Sequence, residues 1–424
     1  MRVLAVSHAC AVAMNQWLYV HLPRAGELDV ELVAPTHWGS ELRGTISFER
    51  LPELTCPVHV LPPTWSGEDY RMHLALFRGA ARVVEKVRPD LIYLDEEPYS
   101  LAAWQFTVLA RRVGARCVFY SMQNLQKRLP PPFAPIERAV YRSAAGATAL
   151  TGEVAQVLRA RGFQKPIAVV PLSAELSAFH PIDVAGLRRE HALAGPVIGY
   201  LGRLSPGKGV DLLLAALKQL QTEGRSFTGM IVGSGPEEAR LQAQIVGLGL
   251  GERVRMVPGV PHDQAPRYYN CLDVAVLPSR TMPHWKEQFG RVLVEALACG
   301  VPVVGSDSGA IPEVIASTGG GLIFPENDAH RLADCLRLLL ADAPFRRRLA
   351  DTGRAAASNL YSYEAVAARL RRVLLALFEP GPQAPARTVV RPTADAPRLT
   401  DALLDLGPGV SKGDGAVEDR LAGR

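Results

Sequence analysis

Short runs of Val, Ile and Leu return along most of this chain, and between them apolar positions repeat at helical spacing. In the first half the runs predict strands at Arg2–Val6, Asp29–Val33, Val58–Leu61, Leu91–Leu94, Arg116–Tyr120, Ala147–Leu150 and Ile167–Val170. In the second half they predict strands at Val197–Tyr200, Gly229–Val232, Val254–Val257, Val274–Leu277, Val303–Gly305 and Leu322–Phe324. Strands that alternate with helices argue for βαβ units and parallel sheets, an α/β architecture. Each half is long enough for one doubly wound domain, so domains are expected over 1–180 and 195–360. The segment from Pro171 to Gly195 reads as the linker between them. A last helix is predicted from about Tyr363 to Phe378. Beyond Glu379 the chain turns to Pro, Ala and Gly, so 380–424 is expected to be mostly disordered, with a short helix at Leu399 to Leu406 as the alternative.

Composition narrows the picture little. The 424 residues exceed one ordinary domain, and 48% apolar content supports large cores. A net charge of +5 suits an anionic small ligand or an anionic membrane surface and is too weak to argue for nucleic acid. Cys10, Cys56, Cys117, Cys271, Cys299 and Cys335 are scattered, with no C-x-x-C, so buried reduced thiols are expected rather than a metal or disulfide framework. The opening MRVLAVSHACAVAM reads as a first strand, not a signal peptide, because Ser7 and His8 break its apolar run. No apolar run approaches membrane-spanning length, and a cytoplasmic protein is expected.

The most informative segment is HWKEQFGRVLVEALACGVPVVGSDSGAIPEVI. Glu287 and Glu295 lie eight residues apart, with Gln288, Phe289 and Gly290 between them. Val292, Leu293, Ala296 and Leu297 repeat at helical spacing, so a helix starts near Gly290, with Glu287 just before it and Glu295 about two turns in. A helix start presents free backbone N–H groups to an anion. Carboxylates on either side of a bound phosphate accept hydrogen bonds from hydroxyls, which is the layout of a nucleotide sugar. The plainer alternative is two solvated helix glutamates.

This segment resembles the E-x7-E signature of the retaining glycosyltransferases of family 4, which have the GT-B fold. The resemblance extends in order through VIGYLGR with Gly202 and Arg203, Lys208 ahead of KGVDLLLAALKQL, MIVGSGPE, VPGV, YYNCLDVAVLPS and GVPVVGSDSGAIPEV. It is strong from about Val197 to Phe324 and looser in the first half. Phe179 and Pro181 match the family's hinge, whereas Ser173, Ala174 and Glu175 depart from it. The resemblance implies two Rossmann-like domains facing across a cleft, with the last helix crossing back to the first. It also implies transfer of a sugar from a UDP- or GDP-sugar to a hydroxyl acceptor with retention of configuration.

Carried over residue by residue, the resemblance makes Arg203, Lys208 and Glu287 the catalytic set, with Arg203 and Lys208 on the donor diphosphate and Glu287 on its sugar. A guanidinium grips phosphate in two places, and an ammonium adds a point charge. Gly202, Gln288, Phe289 and Gly290 are expected around the donor, Glu295 on the ribose, and Pro258, Gly259 and Val260 beside the base. Gly233 opens a G-x-G after a strand, either part of the nucleotide site or a tight turn. Ser306 to Ala310 are either a loop near the sugar or a strand-to-helix turn. No D-x-D accompanies these motifs, so no metal or cofactor is expected. The Asp95-Glu96-Glu97 cluster is read as an acidic loop rather than an ion site.

The acceptor is expected on the first half. His8, Asn15 and Gln16 stand where many relatives have a glycine-rich loop. Trp38, flanked by His37 and Gly39, reads as exposed; Glu97 and Tyr99 follow the LIYLD strand; Gln123 or Asn124 stand where relatives often carry a His. His8 reads equally as a packing residue at a strand end. Arg78, Arg82, Lys86, Arg88, Arg111, Arg112, Arg116, Lys127, Arg128 and Arg138 offer a face for peripheral contact with anionic lipid, or simply a solvated surface. Two rivals remain at this level: a nucleotide-sugar epimerase of the same fold and an inactive nucleotide-sugar-binding regulator.

Overall fold

The computed structural model describes residues 1–378 apart from 41–43 and 66–69, so the expected tail and its Leu399–Leu406 helix lie outside the described residues. The first half runs β1 (Arg2–Ser7), α1 (Trp17–His21), β2 (Asp29–Pro35), β3 (His37–Ser40), β4 (Gly44–Ser47), β5 (Val58–Leu61), α2 (Ala80–Val87), β6 (Leu91–Asp95), α3 (Leu101–Val113), β7 (Arg116–Ser121), α4 (Phe133–Ser143), β8 (Gly146–Ala149), α5 (Gly152–Ala160) and β9 (Ile167–Val169). Seven of these strands form one parallel sheet in the order β5-β2-β1-β6-β7-β8-β9. Its central strands are apolar on both sides, as a sheet covered by helices on both faces requires. The expected strands agree with the structure to within one residue at each end, except β2, which runs two residues further, to Pro35. The antiparallel hairpin β3–β4 was not anticipated; it pairs His37 with Ser47 and Trp38 with Ile46.

After the connection comes α6 (Ala185–Glu190), a short helix inside the expected linker. Then follow β10 (Val197–Leu201), α7 (Val210–Thr222), β11 (Thr228–Val232), α8 (Glu238–Gly247), β12 (Val254–Val257), α9 (Ala265–Tyr269), β13 (Val274–Leu277), α10 (Arg291–Ala298), β14 (Val303–Ser306), α11 (Ile311–Thr318), β15 (Gly321–Phe324), α12 (Ala329–Ala341), α13 (Ala343–Tyr361) and α14 (Tyr363–Phe378). The second sheet is parallel, in the order β12-β11-β10-β13-β14-β15.

Each sheet reverses its winding once, between β1 and β6 and between β10 and β13. Ligands of open α/β sheets bind in the crevice beyond the strand ends at such a switch point. Right-handed crossovers carry α2, α3, α4 and α5 to one face of the first sheet and leave the other to α1. Helix α14 returns to cover that second face. Arg371 Nη1 donates to the carbonyls of His21 and Leu22 at 3.3 and 3.1 Å, Trp17 stacks on Tyr363 at 5.8 Å, and Arg116 Nη1 donates to the Leu377 carbonyl at 2.7 Å. All six cysteines are buried and unpaired. Among the described residues no helix is long and apolar enough to cross a membrane.

Candidate active site

At the switch point of the second sheet, loops after β10 and β13 meet. Gly202 N–H donates to Val232 O and Leu204 N–H to Ser234 O, both at 3.0 Å, which ties the β10 loop to the Gly233 loop. Arg203 projects from this loop and is exposed; among the described residues its guanidinium makes no hydrogen bond. A few residues on, Lys208 Nζ donates to Glu287 Oε2 at 2.6 Å, and Ser279 Oγ donates to the same oxygen at 3.0 Å. Glu287 is 7% exposed. The Trp285 ring lies 4.9 Å from Lys208 Nζ, an ammonium-over-ring contact that holds the stem in place.

The backbone around Glu287 is gripped as firmly as its side chain. Its carbonyl accepts from Ala310 N–H at 3.1 Å and from Asn124 Nδ2, in the first half, at 2.9 Å. A Cβ on Gly309 would stand 2.0 Å from that carbonyl, so only glycine fits there. The loop 306–310 therefore supports Glu287 directly. Gly290, at φ +76°, turns the chain into α10, and its left-handed conformation excludes most side chains. Phe289 is buried edge-on against Tyr361 at 5.5 Å, so only its backbone is open to a ligand. Exposed Gln288 donates to the Met122 carbonyl at 3.1 Å.

Glu295 lies a little over one turn into α10, not two, because the helix begins at Arg291. Tyr269 OH donates to its Oε2 at 2.9 Å, and His262 Nε2 stands 3.1 Å from its Oε1. The hydrogen bond that the His262 imidazole donates to the Glu295 carboxylate holds its pKa above the usual value, against the opposing effect of burial. Pro258 and Gly259 are exposed and Val260 half-buried; Gly259 N–H donates to Ser234 Oγ at 3.0 Å. A groove of about 550 Å³ opens beside them, lined in part by Gly233, Val257, Pro258 and Gln242.

The first-half candidates divide. His8 sits at the end of β1 with Nδ1 2.9 Å from Glu96 Oε2, and its ring stacks on Trp38 at 4.7 Å. Trp38 is 7% exposed and packs with Ala11 and Ala75, contrary to the expected exposure: the unanticipated hairpin folds it inward. Gln16 is fully buried, its amide donating to the carbonyls of Cys10 and Glu49 and its oxygen accepting from Leu51 N–H, so it supports the loop and does not face a ligand. Asn15 is exposed and donates to Ala9 O. Glu97 accepts from Ser121 Oγ and Met122 N–H, and burial pushes its carboxyl up to about 7 against those bonds. Asp95 takes Ser7 Oγ and Tyr19 OH, so the three acids of the cluster turn to separate partners. Among the described residues no three His, Cys, Asp or Glu side chains are placed to share a metal ion. Half-buried Gln123 accepts from Leu125 N–H; Asn124 bridges to Glu287 O and, at 3.3 Å, to Glu153.

Further contacts close the cleft. Lys286 pairs with Glu153, and the Glu313 carboxylate accepts from Gly152 N–H at 2.8 and 3.1 Å, capping α5 from the opposite half. Ser279, Trp285, His262, Tyr269 and Glu313 were not singled out from the sequence, and Glu96 was read only as part of an acidic loop. Ser279, Trp285, Tyr269 and Glu313 lie inside the motifs quoted above and His262 just after VPGV, a positional signal that did not reveal their contacts.

Two family models match: a glycosyl transferase 4-like domain over residues 11–173 and glycosyl transferases group 1 over residues 187–356. A 2-deoxystreptamine glucosyltransferase from Streptomyces kanamyceticus is 30% identical over 268 residues, 59% of this chain and 67% of that protein. The chain belongs to the retaining glycosyltransferases of family 4. A D-inositol 3-phosphate glycosyltransferase from Segniliparus rotundus is 33% identical over 229 residues, 53% of this chain and 50% of that protein. The crystal structure of Anabaena HepE in complex with UDP shares the fold, with a TM-score of 0.67 at 21% identity, covering 88% of this chain and 99% of that one. As a family 4 glycosyltransferase, the protein is a GT-B enzyme that uses a nucleotide sugar.

Proposed function

We propose that the second half binds a nucleoside diphosphate sugar and that the first half presents the hydroxyl of a cyclitol, a six-membered carbocyclic polyol. The observation that carries the donor assignment is the Lys208–Ser279–Glu287 cluster at the switch point, beside exposed Arg203 and the start of α10. Arg203 and Lys208 take the diphosphate, the backbone at Gln288, Phe289 and Gly290 faces the distal phosphate, and Glu287 meets the sugar. Glu295 takes the ribose; Gly202, Gly233, Pro258, Gly259 and Val260 line the base of a UDP- or GDP-sugar. The cyclitol reading is supported by the names of two relatives, whose acceptors, 2-deoxystreptamine and inositol 3-phosphate, share that ring.

The chemistry follows from the charges. As the bond from anomeric carbon to phosphate oxygen breaks, its electron pair leaves with the diphosphate, where Arg203 and Lys208 stabilise it. The acceptor oxygen attacks from the same face and its proton passes to the departing phosphate oxygen, so configuration is retained and no side-chain base or metal is needed. Before the donor arrives, Lys208 rests on Glu287; the diphosphate then takes the ammonium and frees the carboxylate for sugar hydroxyls.

The test is a panel of UDP- and GDP-sugars, with nucleotide release followed in the presence and absence of cyclitols. Wild-type protein should release nucleotide from one donor, and Arg203→Ala should lose both binding and release. Isomerised donor would point to an epimerase, and binding with no turnover under any condition to a regulator.

We also propose peripheral membrane contact at the cytoplasmic face, supported by exposed Arg78, Arg82, Lys86, Arg88, Arg111, Arg112 and Arg138 on and beside α2, α3 and α4, against exposed Glu85. Vesicles with and without anionic lipid test it: equal sedimentation with both refutes it.

A further inference from the structure

The switch point of the first sheet is built around a histidine–carboxylate pair that the donor site does not use. Glu96 follows β6 and is 6% exposed. Its Oε1 accepts from the His8 backbone N–H and its Oε2 stands against His8 Nδ1, both at 2.9 Å. A carboxylate on Nδ1 keeps a proton on that nitrogen; burial works against the charged ring, but Glu96 and its acidic neighbours outweigh it and hold the imidazole above its usual pKa. Trp38 lies along the ring with an interplanar angle of 29°, so the imidazole is held from one edge and one face. The His8 side chain nonetheless stays 25% exposed. Among the described residues Nε2 has no hydrogen-bond partner, which leaves an oriented nitrogen able to bond a hydroxyl at the mouth of the crevice.

The place is right for the second substrate. In the sheet order β1 lies two strands from β7, whose following loop puts Asn124 against Glu287. At about 4.8 Å per strand, His8 is offset from that contact by about 10 Å across the sheet. One hexose and an incoming ring fill that span. His73, close enough to Glu96 and His8 to respond to their charges, packs edge-on to Tyr99 at 4.9 Å and adds aromatic surface for the C–H face of a ring. Segments 8–16, 36–39 and 95–100 contain no lysine or arginine, and Arg71 stands two residues from His73 in the chain.

We propose that His8 Nε2 anchors a hydroxyl of the cyclitol acceptor next to the one that reacts, with Glu96 and Trp38 as positioning residues. This rests on the glycosyl-transfer reading above. The anchor fixes which ring hydroxyl is presented; the reacting proton still goes to the departing phosphate.

The experiment uses full-length protein, the donor that the panel identifies, and myo-inositol, its monodeoxy analogues and 2-deoxystreptamine as probes. Donor affinity and donor hydrolysis by water are measured in the same samples. In His8→Ala, donor affinity and hydrolysis should stay at wild-type level while the KM for the cyclitol rises about tenfold, the loss of one hydrogen bond. Wild type should discriminate about tenfold against one monodeoxy-inositol, and His8→Ala should not. His8→Gln, which keeps a polar side chain, should recover part of the affinity; Glu96→Gln should raise acceptor KM without touching hydrolysis. Donor hydrolysis that no cyclitol probe diverts into transfer overturns the proposal. So does an unchanged acceptor KM in His8→Ala, or loss of donor binding in both His8 variants, which would make His8 a structural residue. Absence of donor binding in the wild type would instead defeat the underlying transferase reading.

Discussion

Replacing Lys208 by Ala separates what this residue does for the fold from what it does for the reaction. The substitution removes the ammonium from Glu287, whose side chain is 9% exposed and, among the described residues, then keeps Ser279 alone as a partner. Orphaning one member of a fully buried pair costs about 3–5 kcal/mol. The Lys208 side chain is 21% exposed, so water screens part of that, and about 2 kcal/mol is a fair figure. If the second half melts as one unit, that is a drop of roughly 4–8 °C in Tm. Turnover should suffer more, because a preorganised cation aimed at the leaving group is gone: about a hundredfold to a thousandfold in kcat. The two effects come apart in the double variant Lys208→Ala/Glu287→Gln. Neutralising the orphaned carboxylate should restore most of the lost Tm and none of the lost turnover. The assays are a thermal melt and nucleotide release under donor saturation. Wild-type turnover in Lys208→Ala, or a double variant no more stable than the single one, would refute the reasoning.

Other perturbations probe neighbouring contacts. Gly309→Ala forces a Cβ to 2.0 Å from the Glu287 carbonyl, so the loop must shift; kcat should fall about a hundredfold in protein that still melts cooperatively. His262 has a raised pKa in the fold, so its pairing with Glu295 stabilises below the ordinary imidazole range near 6.5 and fades as pH rises through the raised value. The Tm difference between wild type and His262→Ala should therefore be larger at acidic than at alkaline pH; an equal difference at both would show that the charge on His262 plays no part. Glu313→Ala removes the cap that one half places on α5 of the other, and should widen the cleft, seen as a larger radius of gyration without donor.

The sheets were legible because a strand buried on both faces is a continuous apolar run, as in VLAV of β1 and in VAVL of β13, and such runs stand out from their surroundings. The β3–β4 hairpin was not, since HWGS and GTIS are short and glycine-bearing and carry little alternation. Missing it also hid the fate of Trp38, whose burial depends on Ala11 and Ala75, far away along the chain. In the acidic cluster, sequence could not tell that Glu96 turns to His8 while Glu97 turns to Ser121, because adjacent residues at a strand end face opposite ways and the partners lie on different strands. Lys208 and Glu287 could be linked through the motif, yet the Ser279 bond, the Trp285 brace and the Asn124 bridge join residues that only the packed halves bring together.

Everything proposed for the second half depends on where a nucleoside diphosphate sits. A crystal structure of the full-length protein with UDP or GDP bound addresses that directly. The diphosphate should lie at the end of β10, within hydrogen-bond reach of Arg203 and of Lys208, with Lys208 drawn away from Glu287 and the ribose hydroxyls on Glu295. A nucleotide bound elsewhere, with the Lys208–Glu287 pair intact, would contradict it.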